Sequence, residues 1–96
     1  MYGESLLTSA VVGHQLETLK FLVSLPKVDL NQTGQNDNTA LATAAVVGDL
    51  DIVKFLVSLK GVDKNHKNAY GATPLSLAIA NKNFEVAEFL KGIGCE

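Results

Sequence analysis

Lys20-Phe21-Leu22-Val23-Ser24-Leu25 and Lys54-Phe55-Leu56-Val57-Ser58-Leu59 are one six-residue string, written twice, 34 positions apart. Working outward at that step, thirteen positions of 3–36 and 37–70 are identical, with Val28, Asp29 and Asn31 returning as Val62, Asp63 and Asn65. A fainter third register follows in Leu7, Leu41 and Leu75, in Ala10, Ala44 and Ala78, and in Phe21, Phe55 and Phe89. A fixed period of this length marks a repeat array, in which each unit is one supersecondary element that stacks on its neighbours.

Each unit reads as two helices. The first is short and rich in small residues, Thr39 to Val47 in unit two and Thr73 to Ala80 in unit three. Thr39 and Thr73 are natural N-caps, and Pro74 falls at the first helical position, where its missing N–H costs nothing. The second helix runs from about Asp49 to Leu59, with Asp49 or Asn83 to cap its start. Leu50, Val53, Leu56 and Val57 then share one face. Repeated alanines let helices approach closely, and Phe21, Phe55 and Phe89 are expected to form a large-residue ladder between units. Turn-rich stretches, Asn31 to Asn38 and Asn65 to Gly71, separate the units. A helix pair of this size cannot bury its apolar face alone, and about three units are the usual minimum for stability. The expectation is one all-α domain over 1–96, with units of about 1–33, 34–67 and 68–96.

Composition agrees with a folded core and removes several function classes. Apolar residues make up 47% and charged ones 19%, which argues against disorder. The net charge is −2, and the eight basic residues are scattered, so the basic footprint of a nucleic-acid binder is missing. No apolar run approaches a bilayer's thickness, and Met1-Tyr2-Gly3-Glu4 does not open like a secretory leader. The single cysteine, Cys95, excludes an intramolecular disulfide. A reducing compartment, cytoplasmic or nuclear, is the expected setting.

Gly71-Ala72-Thr73-Pro74-Leu75-Ser76-Leu77-Ala78 resembles the G-x-T-P-L-H-x-A opening of the ankyrin repeat, with Ser76 where His is usual. Thr39-Ala40-Leu41 and Ala44-Ala45 match the same opening in unit two. Ile52-Val53-Lys54-Phe55-Leu56 resembles the second-helix signature. Gly61-Val62-Asp63-Lys64-Asn65 resembles the closing G-A-D-x-N, and Gly94-Cys95-Glu96 is its truncated counterpart. The resemblance covers essentially the whole chain and implies a solenoid of three stacked helix-turn-helix units with β-turn-like finger loops. Three departures stand out. The family period is about 33 residues, and the extra residue here falls near Pro26 and Lys60. Unit one has Ser5-Leu6-Leu7 in place of T-P-L, and no unit carries the usual His, so looser first-helix openings are expected. Units one and three then read as terminal caps, unit three with Glu85, Glu88 and Lys91 on its second helix.

Catalytic constellations do not survive a structural reading, and neither enzyme activity nor a metal or cofactor is expected. His14 and His66 lie at non-equivalent places, with no partner at metal-ligand spacing, and read as solvated or turn histidines. Cys95 sits near the C-terminus with no surrounding shell to activate it. Gly92-Ile93-Gly94 follows a helix instead of opening one, unlike a phosphate loop. Glu17, Asp51 and Glu85 recur at 34-residue steps, but each falls in the first turn of a second helix, where a carboxylate complements the helix dipole.

The resemblance places a partner on the concave side, on the finger tips and the outer faces of the first helices. Carried over by position, that surface comprises Tyr2 and Glu4 in unit one, Gln35, Asn36 and Asn38 in unit two, and Ala69, Tyr70 and Ala72 in unit three. Val12, Val46, Val47, Ala80 and Asn81 join from the first helices, and Thr33 and Lys67 from the turn stems. Tyr2 and Tyr70 occupy the same tip position two units apart, and tyrosine contributes contact area with a polar handle. A valine stripe rimmed by Asn and Gln suits a protein segment better than a nucleic acid. The leading expectation is therefore a monomeric, non-catalytic module that binds a protein partner, with self-stacking of an exposed terminal unit left open. The alternative is a structural scaffold or spacer, or an engineered repeat fragment, with no specific ligand. The near identity of units one and two fits it equally.

Overall fold

The computed structural model describes residues 6–96. They form six α-helices in three pairs: α1 (Leu6–Val12) with α2 (Leu16–Val23), α3 (Ala40–Val47) with α4 (Leu50–Val57), and α5 (Pro74–Ala80) with α6 (Phe84–Gly92). Helix starts recur at 34-residue steps, and the only pairing of extended backbone among these residues is an isolated bridge between Thr33 and Thr39.

Local chemistry sets the boundaries. The Thr39 hydroxyl accepts the Ala42 N–H and so caps α3, which ends at Gly48 in the left-handed region (φ 86°). Thr73 caps α5 in the same way, with Pro74 at the first turn. Ser76 does not loosen this opening. Its hydroxyl accepts the Thr73 N–H at 2.8 Å while Thr73 accepts the Ser76 N–H at 3.2 Å, a reciprocal capping box. Asp49 caps α4 through Oδ1, 3.1 Å from the Ile52 nitrogen. Asn83 behaves differently from the expectation. It stands at the N-cap position of α6, yet its side chain makes no capping bond and reaches into the preceding unit.

The core runs the length of the stack. Leu7, Leu41 and Leu75 from the first helices meet Leu19, Val53, Leu56 and Leu90 from the second, while Ala44, Ala45 and Ala78 keep the backbones close. First helices of successive units pack more closely than second helices, so the stack curves toward its first-helix side. The apolar face of α4 is centred on Ile52, Val53 and Leu56, with Leu50 and Val57 at its half-buried edges.

The phenylalanine ladder is not a core feature. Phe21 is 63% exposed, and Phe55 and Phe89 are half-buried at the flank. Each of the latter two carries a lysine from the preceding unit over its ring, Lys20 above Phe55 and Lys54 above Phe89, both at 5.8 Å. The buried aliphatic positions on either side fill the space between units, which leaves the rings to the edge.

The extra residue lies where the sequence places it, but only in units one and two. Lys27 (φ 66°) and Gly61 (φ 93°) are 34 residues apart, whereas the corresponding left-handed residue of unit three, Gly94 (φ 92°), comes after 33. Unit three skips the position of Lys60. Cys95 thereby takes the buried place of Val62, and Glu96 that of Asp63.

Candidate functional site

The finger between α2 and α3 is a tight hairpin. Gly34 N–H bonds to the Asn38 carbonyl (2.9 Å), and Asn38 N–H to that of Gln35 (3.1 Å). Asn36 and Asp37 both have positive φ, 59° and 60°, the requirement of a type I′ turn and one that Asn and Asp tolerate. The next finger is built differently. Asn68 N–H bonds to the Ala72 carbonyl, while the Asn68 side-chain oxygen accepts the N–H groups of Tyr70 (2.8 Å) and Ala72 (3.0 Å). Its turn closes through Gly71 at φ 80°.

Three further links clamp the two fingers together. The Asn68 amide donates to Asn38 Oδ1 at 2.9 Å, Ala69 N–H to the Asn36 carbonyl at 3.0 Å, and His66 Nε2 to the Asp37 carbonyl at 2.9 Å. By sequence alone His66 reads as a solvated turn histidine, because its partner is 29 residues away. His14 likewise donates through Nδ1 to Asp49 Oδ2 (2.9 Å), on the carboxylate that caps α4. His14 therefore joins units one and two, His66 joins the two fingers, and no group of three or more His, Cys, Asp or Glu side chains among the described residues is placed to hold a metal ion. Cys95 is buried, and that burial pushes its thiol pKa up, with the nearby Lys64 charge partly opposing.

Six of the residues assigned to the partner surface line one cleft of about 210 Å³ between α1, the first described finger and α3: Val12, Gln35, Asn36, Asn38, Val46 and Val47. Thr8 and Thr43, which sequence reasoning passed over, complete it. Their helical spacing from Val12 and from Val46 and Val47 would have found them. The lining combines three valines with amide and hydroxyl side chains, and no lining side chain is ionisable.

The remaining assigned residues lie around this cleft rather than in it. Tyr70 projects from the finger tip, 79% exposed, beside exposed Ala69. Ala72 is half-buried, with its N–H and carbonyl both spent in the finger. Thr33 is exposed at the base of its hairpin, and Lys67 is exposed at the stem of the next. Ala80 and Asn81 are exposed at the end of α5, where the Asn81 amide donates to the Leu77 carbonyl (2.8 Å). Tyr2 and Glu4 lie outside the described residues.

Comparison with known proteins agrees with this architecture. The family model for ankyrin repeats matches residues 2–96 as three copies. No curated protein matches the chain. Among solved structures, the fold is similar to a chain of the complex between the predatory endopeptidase Bd0816 from Bdellovibrio bacteriovorus and immunity protein Bd3460. The TM-score is 0.87 with 39% identity over 98% of this chain. The present chain spans about half, 48%, of the one it matches.

Proposed function

The chain belongs to the ankyrin-repeat family, whose repeats are generally protein–protein interaction modules, and we propose that it is a non-catalytic module gripping a protein partner on its concave side. The observation that carries this reading is the neutral cleft under the fingers. Val12, Val46 and Val47 offer apolar surface, and Gln35, Asn36 and Asn38 offer amides that can meet a partner's main chain. Tyr70, fixed at a finger tip by the Asn68 turn, adds an exposed aromatic beyond the cleft. The likeness to a chain of a complex between an endopeptidase and its immunity protein makes a peptidase the first partner class to test. The reading carries with it a cytosolic or nuclear setting, which the lone, buried cysteine supports.

The test compares wild type with the double variant Val46→Asp/Tyr70→Ala in capture from source-cell lysate and in direct binding to candidate peptidases. Both positions are at least partly exposed, so helical circular dichroism is expected to persist. A partner held by wild type and lost by the variant supports the concave surface. Equal capture by both moves binding elsewhere. A scaffold without a specific ligand is the second reading, favoured by the thirteen identities between units one and two. It gains if neither protein captures anything.

A further inference from the structure

The cleft between α1, the first described finger and α3 restricts what it can take, and we propose that it holds an extended, uncharged segment of the partner. One large apolar side chain of that segment lies against Val12, Val46 and Val47, and the main chain beside it pairs with the amides of Gln35 and Asn36. The proposal rests on the concave reading above and narrows it to one kind of ligand. The cleft lies between units one and two, on the side of the first helices, so a further unit at either end would lengthen that row and leave the cleft open.

Size and stiffness set the first limit. At about 210 Å³ the cleft falls below the roughly 300–1,000 Å³ of a small-molecule pocket, and it suits a single side chain. Thr8 and Val12 of α1 and Thr43, Val46 and Val47 of α3 are all β-branched, and a helix restricts such side chains to one or two rotamers. The finger wall is equally fixed, because the Asn36 carbonyl accepts the Ala69 N–H and Asn38 Oδ1 accepts the Asn68 amide. A shape formed before binding takes an inserted side chain without reordering the site.

Charge sets the second limit. A carboxylate or ammonium entering the cleft would lose water and meet no opposite charge in the lining. Polar groups set the third. The carbonyls of Gln35, Asn36 and Asn38 are spent on the N–H groups of Asn38, Ala69 and Gly34, so the finger's side chains, not its backbone, carry the polar recognition. Gln35 and Asn36 are exposed, and their amides bond to no other described residue. Each offers a donor and an acceptor, the same pair that a peptide group presents. A partner helix spends its main-chain groups internally, whereas an extended segment leaves them for these amides.

A display library of random short peptides, panned against the chain, tests this. Wild type should enrich sequences with one large apolar residue between uncharged neighbours. In a synthetic copy of the enriched peptide, changing that residue to Ala should weaken binding about tenfold or more, the effect of losing one buried side chain. Methylating the main-chain nitrogens on either side of it should weaken binding severalfold. Val12→Lys, at a position 55% exposed, puts a cation in the lining and should shift the enriched set toward acidic residues with helicity unchanged. Should that variant lose helicity, Gln35→Lys on the exposed finger replaces it. Charged sequences enriched by wild type, indifference to N-methylation, an unshifted set from the lysine variant, or no peptide recovered at all would each overturn the proposal. After such a result, the Val46→Asp/Tyr70→Ala variant tells the two failures apart. Ligands that it holds as tightly as wild type does would sink the concave reading as well. Peptides, or a lysate protein, that it loses would leave that reading standing and overturn this narrowing alone.

Discussion

The side-chain oxygen of Asn31 accepts the backbone N–H of Asp63 at 2.7 Å, while the same side chain donates to the Gly61 carbonyl at 2.9 Å. One unit's closing loop thus ties down the next unit's loop through a single amide. Asn65 repeats half of this with the N–H of Glu96 at 2.9 Å. Asn31→Ala should remove both bonds and cost about 1–3 kcal/mol, at about 0.5–1.5 for each. Asn65→Ala, losing the one cross-unit bond, should cost less. Urea unfolding of the two variants checks the order, and equal midpoints would mean that water replaces the Asn31 bonds without loss.

Exposure separates two neighbours in α4. Leu56 is 1% exposed at the centre of the stack, so Leu56→Ala should cost about 2–5 kcal/mol through lost burial and the cavity left behind. Phe55 is only half-buried beneath Lys20, and Phe55→Ala should cost about 1–2 kcal/mol, part of what a fully buried ring is worth. Against a domain stability of about 5–15 kcal/mol, the first leaves a barely folded chain and the second a cooperative one. A thermal melt distinguishes them, and the reverse order would mean that the rings carry the stacking after all.

The helices were legible in the sequence because their signals are local. Thr39, Asp49 and Thr73 cap where residue type and spacing place them, and the period positions every second helix. What escaped depends on contacts between residues far apart in sequence. Asn83 has the composition of a cap but spends its amide on the Ala45 and Val46 carbonyls, 2.8 and 2.9 Å away. His14 and His66 look solvated until the fold brings in their partners, Asp49 and Asp37, from 35 and 29 residues away. Phe55 reads as core by size, although the smaller Leu56, Val53 and Ile52 take the interior. For the partner surface, carrying positions over by repeat register brought six residues to one cleft and missed Thr8 and Thr43, which only the helical geometry adds.

Gly48 and Asn83 form a second pair whose fit can be tested. Gly48 has φ 86°, and a Cβ there would lie 2.8 Å from Asn83 Oδ1. Gly48→Ala should therefore cost about 1–2 kcal/mol from the left-handed backbone, plus whatever displacing Asn83 adds. In the double variant Gly48→Ala/Asn83→Ala the clash is gone and only the backbone cost and two lost bonds remain. The two changes should then sum to less than their separate costs. Strict additivity in a double-mutant cycle would show that the two sites do not interact.

Cys95 gives the stack a dependence on alkaline pH. It fills the position held by Val62 one unit earlier, and its burial disfavours the thiolate, raising the folded pKa while the Lys64 charge partly offsets the shift. In the unfolded chain the thiol titrates near about 8.5. Below that pH both states keep the proton and the contribution is fully present. As pH rises through the window between the unfolded and the raised folded value, the unfolded chain loses its proton first. The folded state then binds more protons, and stability falls with pH. Cys95→Val keeps an apolar side chain of similar size and removes the titration. Wild type should therefore lose urea resistance more steeply than Cys95→Val as pH rises above about 8.5. Below that pH the two should run parallel. Parallel curves through the alkaline range would mean that the thiol ionises as freely in the fold as outside it. Lys64→Gln should steepen the wild-type loss, since the charge that favours the thiolate is removed while the burial that opposes it remains.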